Sequence, residues 1–295
     1  MDRITSRSRV IEHSVGPAGV ELVTWETEYP RYIHPEVMTH RQLSRNGLSS
    51  RAEPLSGAIR RAREDPVEPL VWMYDARRMQ HGILMSDDDR IESIRAWNDA
   101  RDGAIRSCQK FLDLGLHRQY ALRVLEPFLR IRMVISATSV NNLFALRIHK
   151  APMPEIQQLV VGMARAYRAS TPRRLKAGEW HLPYVIEMER SAYPGDVLAR
   201  VSTSRAARAS YPTLEGKIPD IESDFRLHDQ LMGADPKHAS PAEHPAMATG
   251  DRNVRSGNFR GWIQYRHTVL GESAPDVGFD LDARLTEYDG VDYII

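Results

Sequence analysis

Hydrophobic positions fall into a few periodic stretches separated by polar, proline-marked segments. Residues 18–28, AGVELVTWETE, set β-branched and aromatic residues at short period and predict a strand that turns at Tyr29-Pro30. Residues 53–79 carry Pro54, Pro66 and Pro69 and read as loop, with a short helix near 56–63. From Asp87 the period lengthens. Ile91, Ile94, Trp97, Arg101, Ile105, Cys108 and Leu112 recur at three or four, as on one face of a long amphipathic helix. Asp87, Asp88 and Asp89 suit its N-terminal dipole, and Gly115 suits the position just past its end.

Residues 117–125 predict a short helix ended by Pro127, and residues 130–148 a second long helix. A third opens at Pro154, with Ile156, Leu159, Val160, Met163 and Tyr167 on its buried face, and stops at Thr171-Pro172. After a looser segment, 178–194, residues 202–209 form a short helix rich in Ala and Arg. Another starts at Pro219 and carries Ile221, Phe225, His228 and Leu231 on one stripe, with Gly233 after it. Residues 234–257 are polar, 258–269 predict a strand, and the acidic tail reads as loosely held.

Composition narrows the function. A chain of 295 residues with 42% hydrophobic content can bury a substantial core. Lys and Arg number 40 against 39 Asp and Glu, so a nucleic-acid polymer is not the expected partner, and local arginine density points to a small anionic ligand. Cys108 is the single cysteine, which excludes an internal disulfide and a cysteine-based metal site, and it lies on an apolar stripe as a buried small hydrophobe. No apolar run follows the opening MDRITSRSRV, so neither a signal peptide nor a membrane partner is expected, and the cytoplasm is the default setting.

Candidate chemistry concentrates in residues 39–51, THRQLSRNGLSSR. This stretch holds a histidine, three arginines, an asparagine and three serines in thirteen positions. On composition alone the favoured reading is a solvated basic loop, with an anion-binding segment as the alternative. Arg147 ends the predicted 130–148 helix among apolar neighbours, and an arginine there needs an anion or a ring of acceptors. Glu155 is one candidate structural partner.

The spacing His40-Arg41, seven residues, Ser49 resembles the Arg-His-Arg-x7-Ser signature of the flavin-dependent thymidylate synthases, with Thr39 in place of the first arginine and Gly47 where that family has a glutamate. Further segments are similar to the same family: Asn142 five residues before Arg147, Arg123 four before Pro127, Arg205-Ala-Ala-Arg208-Ala-Ser210, and His238-Ala-Ser240-Pro-Ala-Glu243-His244. The last two follow the signature here and precede it in the family. The resemblance therefore implies a circular permutation within one catalytic domain, 1–295, in which 195–270 match the family's N-terminal part and 18–170 its remainder.

That resemblance implies an α+β fold of the thymidylate synthase-complementing-protein type, an antiparallel or mixed sheet packed with long helices, assembled as a homotetramer. It implies reductive methylation of dUMP to dTMP with FAD, NADPH and 5,10-methylene-tetrahydrofolate. By position, Ser49, Ser50, Arg51, Arg123 and Arg147 would hold dUMP, with Arg147 catalytic at the uracil. His40, Arg41, Asn46, Asn142, His238 and Ser240 would border the flavin and folate. The family's other flavin asparagine falls at Ser136. No metal is expected, because no Cys or third His accompanies His238 and His244 at ligand spacing. The replacements at 39 and 47 leave open another 5-substituted product, such as 5-hydroxymethyl-dUMP, or a non-catalytic nucleotide-binding relative.

Overall fold

A computed structural model describes residues 5–47, 54–75, 82–149, 151–208, 220–234, 236–271 and 280–289. The strands are β1 (Arg7–Val15), β2 (Glu21–Pro30), β3 (Ser44–Gly47), β4 (Arg130–Ala137), β5 (Arg173–Arg174), β6 (Trp180–His181), β7 (Ala246–Ala248), β8 (Arg255–Ser256), β9 (Phe259–Arg260) and β10 (Trp262–Gln264). The helices are α1 (His34–Met38), α2 (Leu55–Glu64), α3 (Asp87–Asp113), α4 (Arg118–Ala121), α5 (Asn141–Arg147), α6 (Pro154–Ala169), α7 (Glu187–Ala192), α8 (Gly195–Arg208), α9 (Ile221–Gly233) and α10 (Leu281–Asp289). The class is mixed α+β.

The main sheet runs β3-β4-β2-β1-β5. Its central strands are antiparallel, with Trp25 opposite Ile135 and, one strand further, Asn46 opposite Val134. A bulge between Val10 and Glu12 breaks the β1–β2 register. Against one face lies α6, whose Ile156, Leu159, Val160 and Met163 pack on Val23, Trp25 and Ile135, and the Trp25 indole donates to the Met163 carbonyl at 3.1 Å. A second sheet, β10-β7-β6, joins the first through Leu22, Ala248, Phe259 and Trp262. A separate core under α2 and α3 gathers Ile59, Ala62, Ile105, Cys108, Leu122 and Leu125.

The 130–148 stretch departs from the sequence reading: it is the strand β4, a loop, and then the short helix α5. Met133–Ala137 are buried on both faces, and a strand buried on both sides shows a continuous apolar run that periodicity cannot separate from a buried helix. Pro127 lies inside a 3₁₀ turn, Leu122–Phe128, instead of ending the helix. The 258–269 stretch breaks into β9, β10 and a 3₁₀ turn, Tyr265–Thr268. The long helix from Asp87 forms as read, capped by Ser86 Oγ accepting from the Asp89 amide, with Gly115 at φ 72° past its end. Only Ile105 and Cys108 of it are buried. Among the described residues no helix is long and apolar enough to cross a membrane.

Candidate functional site

The thirteen-residue motif begins at the end of α1. Thr39 caps that helix, its hydroxyl donating to the Glu36 carbonyl at 2.6 Å. Arg45 folds back over the same turn and donates to the carbonyls of Val37, Met38 and His40 at 3.3, 2.9 and 3.3 Å. The loop is thus shaped by its own arginine, a role the sequence reading missed. A basic residue shortly after a helix end, able to donate to the last carbonyls, is the signal for it.

His40 is then presented to α5. Arg147 Nε donates to His40 Nε2 at 2.8 Å across 107 residues, and Arg147 Nη2 reaches Thr39 Oγ1 at 3.4 Å. A guanidinium can only donate, so His40 Nε2 must be an acceptor and the ring proton sits on Nδ1. Burial pushes the His40 pKa down, and the charges of Arg147 and Arg45 push it further the same way, so the ring is neutral. Arg147 is half-buried, and no carboxylate pairs with it among the described residues. Glu155, the candidate partner, is instead buried and accepts from the Leu70 amide at 2.6 Å. Arg147 Nη1 has no partner among the described residues.

The 238–244 segment meets the motif at β3. Ser240 Oγ donates to Asn46 Oδ1 at 3.3 Å across 194 residues, and Asn46 Nδ2 donates to the Ala206 carbonyl of α8 at 2.9 Å. The arginines of that helix are not free for a ligand. Arg205 is buried and bonded to both oxygens of Glu189, at 2.6 and 2.7 Å, and to Asp224 at 2.8 Å. Arg208 also pairs with Asp224.

Other expected residues are not bonded into this cluster among the described residues. Arg41, Asn142 and His238 are exposed, and their side chains have no partner among the described residues. Arg123 is exposed beside the α2–α3 core and donates to Glu126 at 2.9 Å; that carboxylate also holds Arg31. Nothing among the described residues joins Arg123 to Arg147. Ser49, Ser50, Arg51 and Ser210 lie outside the described residues.

Ser136 is committed elsewhere. Its hydroxyl bonds Thr24 Oγ1 at 2.6 Å and His244 Nδ1 at 2.8 Å. Thr24 continues to His181 Nε2 at 2.8 Å, and His181 Nδ1 to Ser14 Oγ at 2.9 Å. This buried chain crosses β1, β2 and β4 and ties both sheets together. Burial drives the His181 pKa well down and that of His244 down to about 3, so both rings are neutral. His244 Nε2 is buried with no hydrogen-bond partner among the described residues. Thr24 and Ser136, small hydroxyl residues inside apolar strands, were the legible sign of such a chain.

Gly47 packs against the flexible Met133 side chain. A Cβ there would lie 1.9 Å from Met133 Sδ, so the larger side chain found in the resembled family cannot enter unless Met133 moves. Cys108 donates to the Ala121 carbonyl, and burial pushes its thiol up to about 11, which leaves no activated nucleophile there. Among the described residues no group of three His, Cys, Asp or Glu could hold a metal.

No protein-family model matches the chain, and no curated protein matches it. Among solved structures, the UMP/dUMP methylase PolB from Streptomyces cacaoi bound with 5-Br UMP is similar at 15% identity, over 56% of this chain and 89% of that one, with a TM-score of 0.46. The same methylase bound with 5-Br dUMP gives 16% identity, 56% and 90% coverage and a TM-score of 0.42.

Proposed function

We propose that this chain is a flavin- and folate-dependent methylase that converts dUMP to dTMP with NADPH as reductant. The observation that carries the reading is Arg147: a half-buried guanidinium keyed to the motif's own histidine, with neither a carboxylate partner nor an Nη1 partner among the described residues. Such a group suits an anion or a ring oxygen that gains charge.

In this reading Arg147 donates to the uracil and stabilises negative charge on the ring as carbon 5 takes the new group. Neutral His40 holds Arg147 in place without cancelling its charge. Ser49, Ser50 and Arg51, with Arg123 from another copy of the chain, take the rest of dUMP. Arg41, Asn142 and His238 offer an exposed cation, amide and imidazole, a donor set that fits the phosphates and ring edge of FAD. The flavin, when bound, supplies the reducing electrons. Asn46 and Ser240 act by holding two distant segments together. The proposal includes the circular permutation, the thymidylate synthase-complementing-protein fold, a homotetramer and a cytoplasmic setting.

The departures from the resembled signature at Thr39 and Gly47 motivate one second reading, a related enzyme that makes another 5-substituted nucleotide such as 5-hydroxymethyl-dUMP. Tritium release from dUMP labelled at carbon 5, followed by the product's mass, separates the two. A purified protein without flavin absorbance and without tritium release would sink both and leave a non-catalytic nucleotide binder.

A further inference from the structure

A cavity of about 570 Å³ is lined by the stretch from β5 to the first turn of α8, and its volume falls in the range of small-ligand sites. None of its lining residues belongs to the motif loop, to α5 or to the 238–244 segment. Two arginines and three carboxylates line it. Both arginines are already engaged. Arg190 donates to Glu12 Oε2 at 2.7 Å and to the Leu182 carbonyl at 2.9 Å, and Arg173 pairs with Glu187 at 2.6 Å. Glu179 and Asp196 are left over. Glu179 accepts from the Lys176 amide at 2.8 Å but pairs with no cation, and the Asp196 side chain has neither a hydrogen-bond nor an ionic partner, among the described residues.

Two aromatic rings separate this place from an ordinary acidic surface. Trp180 lines the cavity and is firmly held: its strand pairs with Met247, its ring stands edge-on to Tyr265 with centroids 5.9 Å apart, and a Cβ on Gly195 would lie 2.5 Å from its Cδ1. Tyr193 lines it too, is 40% exposed, and its hydroxyl has no partner among the described residues. The buried Leu182 and Leu198 add apolar surface. Aromatic faces attract organic cations, and carboxylates without a counter-charge add to that attraction. An anion would be repelled by the two unpaired carboxylates. A metal ion would find too few ligands, because no group of three His, Cys, Asp or Glu could hold one among the described residues. An alkylammonium chain satisfies both surfaces: methylenes suit the rings and leucines, and two carboxylates suit an amine at each end.

We propose that this cavity binds an aliphatic diamine or polyamine, with its ammonium groups on Asp196 and Glu179 and its methylenes against Trp180 and Tyr193. The inference does not rest on the methylation reading, because it uses none of that site's residues.

Calorimetric titration of the full chain with putrescine tests it. Putrescine binds, binds at least about fivefold more tightly than butylamine, and weakens as salt is added. Asp196→Asn weakens putrescine by about fivefold and Tyr193→Leu by about threefold. Both positions are exposed, so the fold tolerates the changes. Asp88→Asn is the control. Asp88 holds the second position of α3 as Asp196 holds that of α8, but it lies outside the cavity, and its replacement leaves putrescine affinity unchanged. No putrescine binding, affinity unchanged in both cavity variants, or an equal loss in Asp88→Asn overturns the proposal whatever the outcome of the tritium assay.

Discussion

Arg205 and Arg147 belong to two helices that both touch the motif, α8 through Asn46 and α5 through His40, and they differ in what surrounds them. Arg205 is saturated: Glu189 and Asp224 take its charge, and the Tyr184 carbonyl takes a further bond at 3.0 Å. Arg147 has a neutral imidazole and a hydroxyl for partners. The first arrangement locks α8 onto α9 and has no donor capacity to offer. The second leaves charge to spend on a ligand. Arginine in a motif is therefore not evidence of binding until its counter-charges are located.

The largest effect should come from breaking the saturated side. Arg205→Ala leaves Glu189 without its guanidinium and the buried Asp224 with Arg208 alone, and is expected to cost about 3–5 kcal/mol, read by urea unfolding. A loss below about 1 kcal/mol would show that Arg205 does not lock α8 onto α9.

Arg147→Ala should show the reverse balance. Removing it leaves no buried counter-charge, so stability should change by under about 1 kcal/mol, while turnover of dUMP falls by about 10²–10³-fold. Turnover like that of the unmodified protein would end its assignment to the uracil.

Acid should weaken the fold through His244. Its folded-state pKa, about 3, lies below the ordinary histidine value, so the unfolded chain takes up the proton first. The contribution is complete above about pH 6.5 and is lost as pH falls towards about 3, at about 1.4 kcal/mol per unit. In His244→Asn the acid limb of a stability–pH curve should flatten; an unchanged slope would contradict the neutral buried ring.

Arg123→Ala should give the smallest stability change, within about 0.5 kcal/mol, because an exposed i,i+3 pair contributes little. Its informative readout is the KM for dUMP. A rise of about tenfold would bring Arg123 into the site from a second copy, and no change would remove it.

Local rules acting within one segment were legible in the sequence. The helices from Asp87, Pro154 and Ile221 and the strand through Trp25 follow from periodicity, caps and proline, because those signals act within a few residues. The partners that decide chemistry were not. Whether 130–148 coils or extends depended on β2 and β3 lying on either side of β4. That Ser136 is spent on Thr24 and His244, Glu155 on Leu70, and Arg205 on two carboxylates follows only when strands far apart in sequence are brought within hydrogen-bond reach. The sequence by itself determined which donors and acceptors exist. The tertiary structure decided which of them are already used, because a buried polar group must be satisfied by whatever the fold places beside it.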